Sequence, residues 1–245
     1  MKGVVLAGGK GTRLLPLTDP VAKEMLPVYH KPMIIHAIEA LISGGVHEIA
    51  VVVHCSTVKA YKHMLSKFKL DCNITFFAEQ QRAGPGQALL LVESWVNNSD
   101  FAVILGDSLF FNQLPPLPHR SAPHLFVMEM CEQEDDLRKY GQVQLSDSRV
   151  IDMRWKPEQV FSQIIQTTVF LFPSSVFEKI RPLSQRQETH ISDLTAQYIA
   201  EGLMTYTLLP RESYLDCGSV EALFQASVRV RTQQLRITKV SNNRP

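Results

Sequence analysis

The sequence predicts an α/β fold: a mostly parallel, mixed sheet flanked by helices. Three observations carry that expectation. Short apolar runs alternate with longer amphipathic ones through the first half of the chain. The second half changes to strand-like runs without long helices between them. The first apolar run ends in a cluster of glycines, where a strand gives way to a tight loop.

Taken in order, residues 3–7 read as a buried strand. Within 32–43, Ile34, Ile35, Ala37, Ile38, Leu41 and Ile42 recur at helix spacing. A second strand is expected at 48–54, a helix near 57–67 and a third strand at 73–78. A helix over 87–96 and a fourth strand at 101–105 complete the first half. Strands alternating with helices imply a sheet covered on both faces. In the second half, 124–131, 141–145, 150–154 and 164–172 are strand-like. Helices are expected at 191–201 and from 219 to about 234, the latter with Val220, Leu223, Phe224, Ala226 and Val228 on it. No Gly/Ser linker and no repeat interrupts the chain, and the run Pro115, Pro116, Leu117, Pro118 reads as a loop. One domain over 1–237 is therefore expected, followed by a polar tail, 238–245, that frays.

Composition narrows the function classes. The chain has 245 residues, 45% hydrophobic and 20% charged, with a formal net charge of +1. It has no long basic run, which argues against a nucleic-acid partner and against a membrane surface. No apolar stretch approaches the ~18 residues that span a bilayer. Cys55, Cys72, Cys131 and Cys217 are widely spaced, without a CxxC pair, so neither a zinc site nor a disulfide framework is expected. A reducing, cytoplasmic location fits this usage and the lack of an apolar leader.

The run Leu6, Ala7, Gly8, Gly9, Lys10, Gly11, Thr12, Arg13 carries the most chemistry. Glycines let backbone N–H groups approach an anion closely. Thr12 can donate to a phosphate oxygen, and Arg13 can grip phosphate with a planar fork. The spacing matches neither a P-loop nor a dinucleotide fingerprint, which disfavours an NAD-type oxidoreductase. Taken alone, the run is also compatible with an ordinary glycine turn, and Lys23 beside Glu24 with an ordinary surface pair.

The loop continues into Leu14, Pro16, Leu17 and Thr18, then Lys23, Leu26, Pro27 and Val28, then Lys31, Pro32, Met33 and Ile34. This combined pattern resembles the sugar-1-phosphate nucleotidyltransferases, and most of all their glucose-1-phosphate thymidylyltransferase branch. The resemblance implies a Rossmann-like nucleotidyltransferase core, with a nucleotide-binding half at about 1–113 and an acceptor-binding half at 114–237. It implies a nucleoside triphosphate, dTTP or UTP, and a phosphorylated acceptor as substrates. It implies Gln80, before the turn at Gly84, as the reader of the base. It implies Arg13 and Lys23 as the catalytic cations and Asp107 as part of the nucleotide site. Asp107 and Asp216 would hold Mg²⁺, a cation that takes one or two carboxylates plus substrate phosphates. Assembly into a homo-oligomer is implied as well.

The acceptor half departs from the family pattern. Gly141 and Lys156 match it. Trp155 stands where the family has a glutamate for sugar hydroxyls, and Thr168 replaces a glycine that leaves room for the sugar. Gly141, Trp155, Lys156 and Thr168 are the expected acceptor residues. Their chemistry leaves open a different acceptor, or a non-catalytic nucleotide-binding protein of the same fold. His124 and His190 are expected to be structural.

Overall fold

The structure, a computed structural model, describes residues 1–118, 122–130, 136–185 and 189–242. Cys131, at the end of an expected strand, lies outside the described residues.

The chain opens with β1 (Lys2–Ala7), and a short ribbon of β2 (Pro27–Val28) and β3 (Lys31–Pro32) leads into α1 (Met33–Ser43). β4 (Glu48–His54), α2 (Val58–Leu65) and β5 (Asn73–Glu79) follow. Next come α3 (Pro85–Ala88), α4 (Glu93–Val96), β6 (Phe101–Leu105) and β7 (Ser108–Phe110). The second half supplies β8 (His124–Glu129), β9 (Gly141–Ser146), β10 (Arg149–Trp155) and β11 (Ile164–Phe172). It ends with α5 (Val176–Leu183), α6 (Ile191–Ala200), β12 (Thr205–Leu209), β13 (Tyr214–Asp216) and α7 (Val220–Asn242).

Among the described residues, nine strands form one mixed sheet in the order β5-β4-β1-β6-β11-β8-β12-β10-β9. The first four are mutually parallel, as strands joined through helical crossovers must be. From β11 onward the pairings are antiparallel, apart from β8 with β12. Strand alternation divides the core between the two faces. Val4 and Leu6 join the residues under α5 and α6, while Val5 and Ala7 pack with Ile34, Ile38 and Leu41 of α1. No helix among the described residues is long and apolar enough to cross a membrane.

Two helices differ from expectation. The expected helix over 87–96 starts earlier, with Pro85 in its first turn, and breaks into α3, a 3₁₀ stretch at Leu89–Val92 and α4. Leu89 and Val92 are both buried, and a 3₁₀ turn superimposes residues three apart. α7 runs through Asn242, into the segment expected to fray. The sequence there has no glycine or proline before Pro245, so nothing in it stops a helix. Residues 243–245 lie outside the described residues.

Candidate active site

β1 ends at the glycine loop, beside the C-terminal ends of β4 and β6, which is where open parallel sheets bind ligands. Gly11 has φ +67°, and a Cβ there would lie 2.9 Å from Lys23 Cβ. At Gly8 a Cβ would come within 2.4 Å of Glu79 Oε2. The loop is pinned twice: Thr18 Oγ1 donates to the Gly11 carbonyl at 2.9 Å, and Arg82 Nε to the Gly8 carbonyl at 2.7 Å. The loop therefore has two ends, one against Lys23 and one against Glu79.

A cleft of about 460 Å³ follows the loop, lined by Leu6, Gly8, Gly9, Gly11, Thr12 and, across from them, Gly84. A second cavity of about 190 Å³ contains Arg13, Gly141, Trp155, Lys156, Thr168 and Asp216. Lys23 and Asp107 line both. The two cavities thus meet at one ion pair, with Lys23 Nζ 2.6 Å from Asp107 Oδ2.

Short local elements place these groups. Asp107 sits in the turn between β6 and β7, and β7 pairs with β13 so that Ser108 faces Asp216. The Cys217 N–H donates to the Asp107 carbonyl at 3.0 Å. Two carboxylates from distant parts of the chain are thereby set side by side. The Gly218 N–H donates to Asp216 Oδ1 at 2.9 Å. Arg13 packs on Gly218, where a Cβ would lie 2.5 Å from its Nη2. Beneath Lys23, the carboxylate of Glu24 is buried, 3.7 Å from Nζ, and accepts from the Tyr61 hydroxyl at 2.9 Å.

The electrostatics follow from that packing. Burial alone would lower the Lys23 pKa, but Asp107 and then Glu24 outweigh it, and the ammonium is held more firmly than usual. Burial pushes Asp107 up, and the ion pair and hydrogen bond with Lys23 reverse the shift to leave it below the usual range. Asp216 is raised by burial and by the charge of Asp107, with Arg13 and Lys23 opposing. Glu24 is raised, chiefly by burial. Such a pair of carboxylates favours a bound cation. Asp107 and Asp216 could hold one; no third His, Cys, Asp or Glu completes a group among the described residues. An oxygen-only pair facing a phosphate cleft suits Mg²⁺, which takes its other ligands from phosphates and water.

Most of the expected residues are brought together. Ala7 is the exception in the loop: it is buried and packs toward Gly106, supporting the cleft from behind. Gln80 is corrected. It is exposed and lines neither cavity, and Glu79 faces the cleft instead. Neighbours along an extended chain point to opposite sides, so when Glu79 points in Gln80 turns out. Glu24 is likewise no surface residue. Glu24, Tyr61, Glu79, Arg82 and Lys139 are site residues that sequence reasoning missed. Glu24, beside Lys23, and Glu79, beside Gln80, lie within the recognised segments, but nothing in the sequence marks either as buried in the site. His124 is structural, its ring nitrogens 2.8 and 2.9 Å from the Thr205 and Thr207 hydroxyls. His190 caps α6 and also borders the second cavity.

The nucleotidyl transferase family model matches residues 2–233. The chain belongs to the nucleotidyl transferase family. It is 30% identical over 241 residues to a glucose-1-phosphate thymidylyltransferase of Neisseria meningitidis, covering 96% of this chain and 84% of that one. A glucose-1-phosphate thymidylyltransferase of Mycolicibacterium smegmatis is 30% identical over 246 residues, with the same coverage. Among solved structures, a Bacillus anthracis protein provisionally assigned the same activity, in complex with sucrose, superposes with TM-score 0.83 at 28% identity, covering 93% of this chain and 94% of that one. A UDP-glucose pyrophosphorylase complexed with UDP-glucose superposes at 0.77 and 25% identity, covering 95% of this chain and 98% of that one. The family's nucleotidyltransferase-like α/β fold is thus the fold of this chain.

Proposed function

We propose that this family member transfers a nucleoside monophosphate from a triphosphate to a sugar 1-phosphate or a related phosphorylated acceptor, releases pyrophosphate, and uses Mg²⁺. The carrying observation is the Lys23–Asp107 pair on the wall common to both cavities. A triphosphate along the loop and an acceptor phosphate beside Lys156 and Arg13 meet there.

The chain's own groups supply most of the chemistry. Backbone N–H groups of the glycine loop hold the triphosphate. Gly9, where a Cβ would lie 3.3 Å from Lys23 Nζ, keeps the loop close to the ammonium. An oxygen of the acceptor phosphate attacks the α-phosphorus, a P–O bond forms, and the bond to the β-phosphate oxygen breaks. Pyrophosphate leaves with that electron pair. Lys23 and Arg13 neutralise the charge gathering on the α-phosphate and the leaving group. Mg²⁺ held by Asp107 and Asp216 would supply further positive charge to the phosphate oxygens. The nucleophile belongs to the substrate, so no side chain need be covalently modified.

The relatives' names attach thymidylyl transfer, or UDP-glucose, to those proteins. The base taken by this chain depends on what lines its own base slot. The acceptor depends on Trp155 and Thr168, neither of which offers the carboxylate that suits sugar hydroxyls. The test is pyrophosphate release across five nucleoside triphosphates and a panel of phosphorylated acceptors, with Asp107→Ala as control. Release that needs acceptor, magnesium and Asp107 is expected. Nucleotide binding without release from any pair contradicts the proposal.

A further inference from the structure

The cleft is polar at one end and selective at the other. Lys23 and Asp107 mark the phosphate end. Leu6, Val52, Pro85 and Ala88 give the cleft an apolar lining of a kind that suits a planar ring. Glu79 and Arg82 line the cleft at its other end, beside Gly8. Glu79 is only 7% exposed, and its Oε2 points at Gly8, so it faces the cleft and not bulk water. Among the described residues no side chain donates a hydrogen bond to it. The Ala83 backbone N–H and the Arg82 charge act on it, against the burial that raises its pKa. Arg82 commits its Nε to the Gly8 carbonyl, and among the described residues its terminal N–H groups have no hydrogen-bond acceptor.

We infer that Glu79, with Arg82, selects the base, and that the base it selects is guanine. The inference rests on the proposed nucleotide transfer for the placing of the phosphates. An ionised carboxylate only accepts hydrogen bonds, and it has two oxygens to satisfy. Guanine is the common base that presents two adjacent donors, N1–H and the 2-amino group, with the O6 acceptor beside them. Glu79 takes the two donors and Arg82 donates to O6. Thymine and uracil present a single N3–H between two carbonyls, so the second carboxylate oxygen meets a carbonyl oxygen. Cytosine and adenine set an amino donor beside a ring nitrogen acceptor and have the same conflict. The expectation of dTTP or UTP rested on Gln80 as the reader. Glu79 in that place changes the hydrogen-bond complement.

The experiment is calorimetric titration of GTP, dTTP, UTP, CTP and ATP, with magnesium, into the full chain and its Glu79→Gln and Glu79→Ala variants. GTP is expected to bind the unmodified chain about tenfold or more tightly than any pyrimidine nucleotide, the scale set by one mismatched buried polar group. Glu79→Gln, which gains an amide donor, should shift the preference toward dTTP and UTP, and Glu79→Ala should flatten the order. Melting curves of both variants separate loss of recognition from loss of fold. Tightest binding of dTTP or UTP to the unmodified chain overturns the inference, as does an unchanged order in Glu79→Gln. The transfer reading fails separately: tight GTP binding with no pyrophosphate release removes the transfer and keeps the base assignment, while release with dTTP in preference to GTP does the reverse.

Discussion

Lys23 touches two carboxylates and two cavities, so its loss should act on both chemistry and packing. Removing it leaves Asp107 and Glu24 buried without their cation. Lys23→Ala is expected to lower kcat by about 10²–10³, the scale for one lost electrostatic contact at a reacting phosphate. It should also lower Tm, because an unpaired buried carboxylate costs roughly 3–5 kcal/mol. Steady-state pyrophosphate release and a melting curve check the two parts. At this scale the glycine loop after β1 was legible in the sequence, because three glycines within four residues mark where a strand gives way to a tight turn; the anion-binding reading needed the family pattern that follows it. Glu24 and Glu79 were not. A carboxylate beside a lysine reads equally well as a solvated pair, and the inward residue of Glu79 and Gln80 depends on where β5 ends.

α1 illustrates what an element's pattern reveals and what it hides. Its apolar spacing was readable, and Ile34, Ile35, Ile38 and Leu41 are all fully buried. The pattern says nothing about His36 on the same helix. His36 Nε2 is buried without a partner among the described residues, and burial, helped by the charge of Lys31, lowers its pKa to about 4. The unfolded chain therefore binds more protons than the folded one between about pH 6.5 and pH 4, and stability rises with pH across that window. As pH falls from about 6.5 to about 4, up to about 3 kcal/mol should be lost through this group. His36→Gln should flatten that part of a Tm-versus-pH curve; an unchanged slope would show that other groups set it. Short elements escaped the sequence for a simpler reason. β7 and β13 are three residues each, too short for a period, yet their pairing is what sets Asp107 beside Asp216.

Across the whole molecule, the parallel block borders the cleft along the glycine loop and the antiparallel strands border the second cavity, the proposed nucleotide and acceptor sites. The aspartates were read from a family pattern, and their meeting needed the sheet order. The acceptor side is where pattern and structure leave the most to chemistry. Trp155 lies over Gly141, where a Cβ would be 2.9 Å from its ring. Thr168 lines the cavity with its hydroxyl against that of Ser108. Thr168→Gly opens that wall and should lower KM for glucose 1-phosphate several-fold, with KM for the nucleotide unchanged. A shift in the nucleotide KM alone would place Thr168 outside the acceptor site.

Direct transfer would take place across the wall shared by the two cavities. It is tested most directly by supplying a sugar 1-phosphate whose phosphate oxygens carry ¹⁸O and following the label by mass spectrometry. The predicted result is a nucleotide sugar that retains all the label, including the oxygen bridging its two phosphates, with unlabelled pyrophosphate as the other product. Pyrophosphate released while the labelled phosphate never becomes joined to the nucleotide would contradict the account, because the acceptor oxygen would then not be the nucleophile.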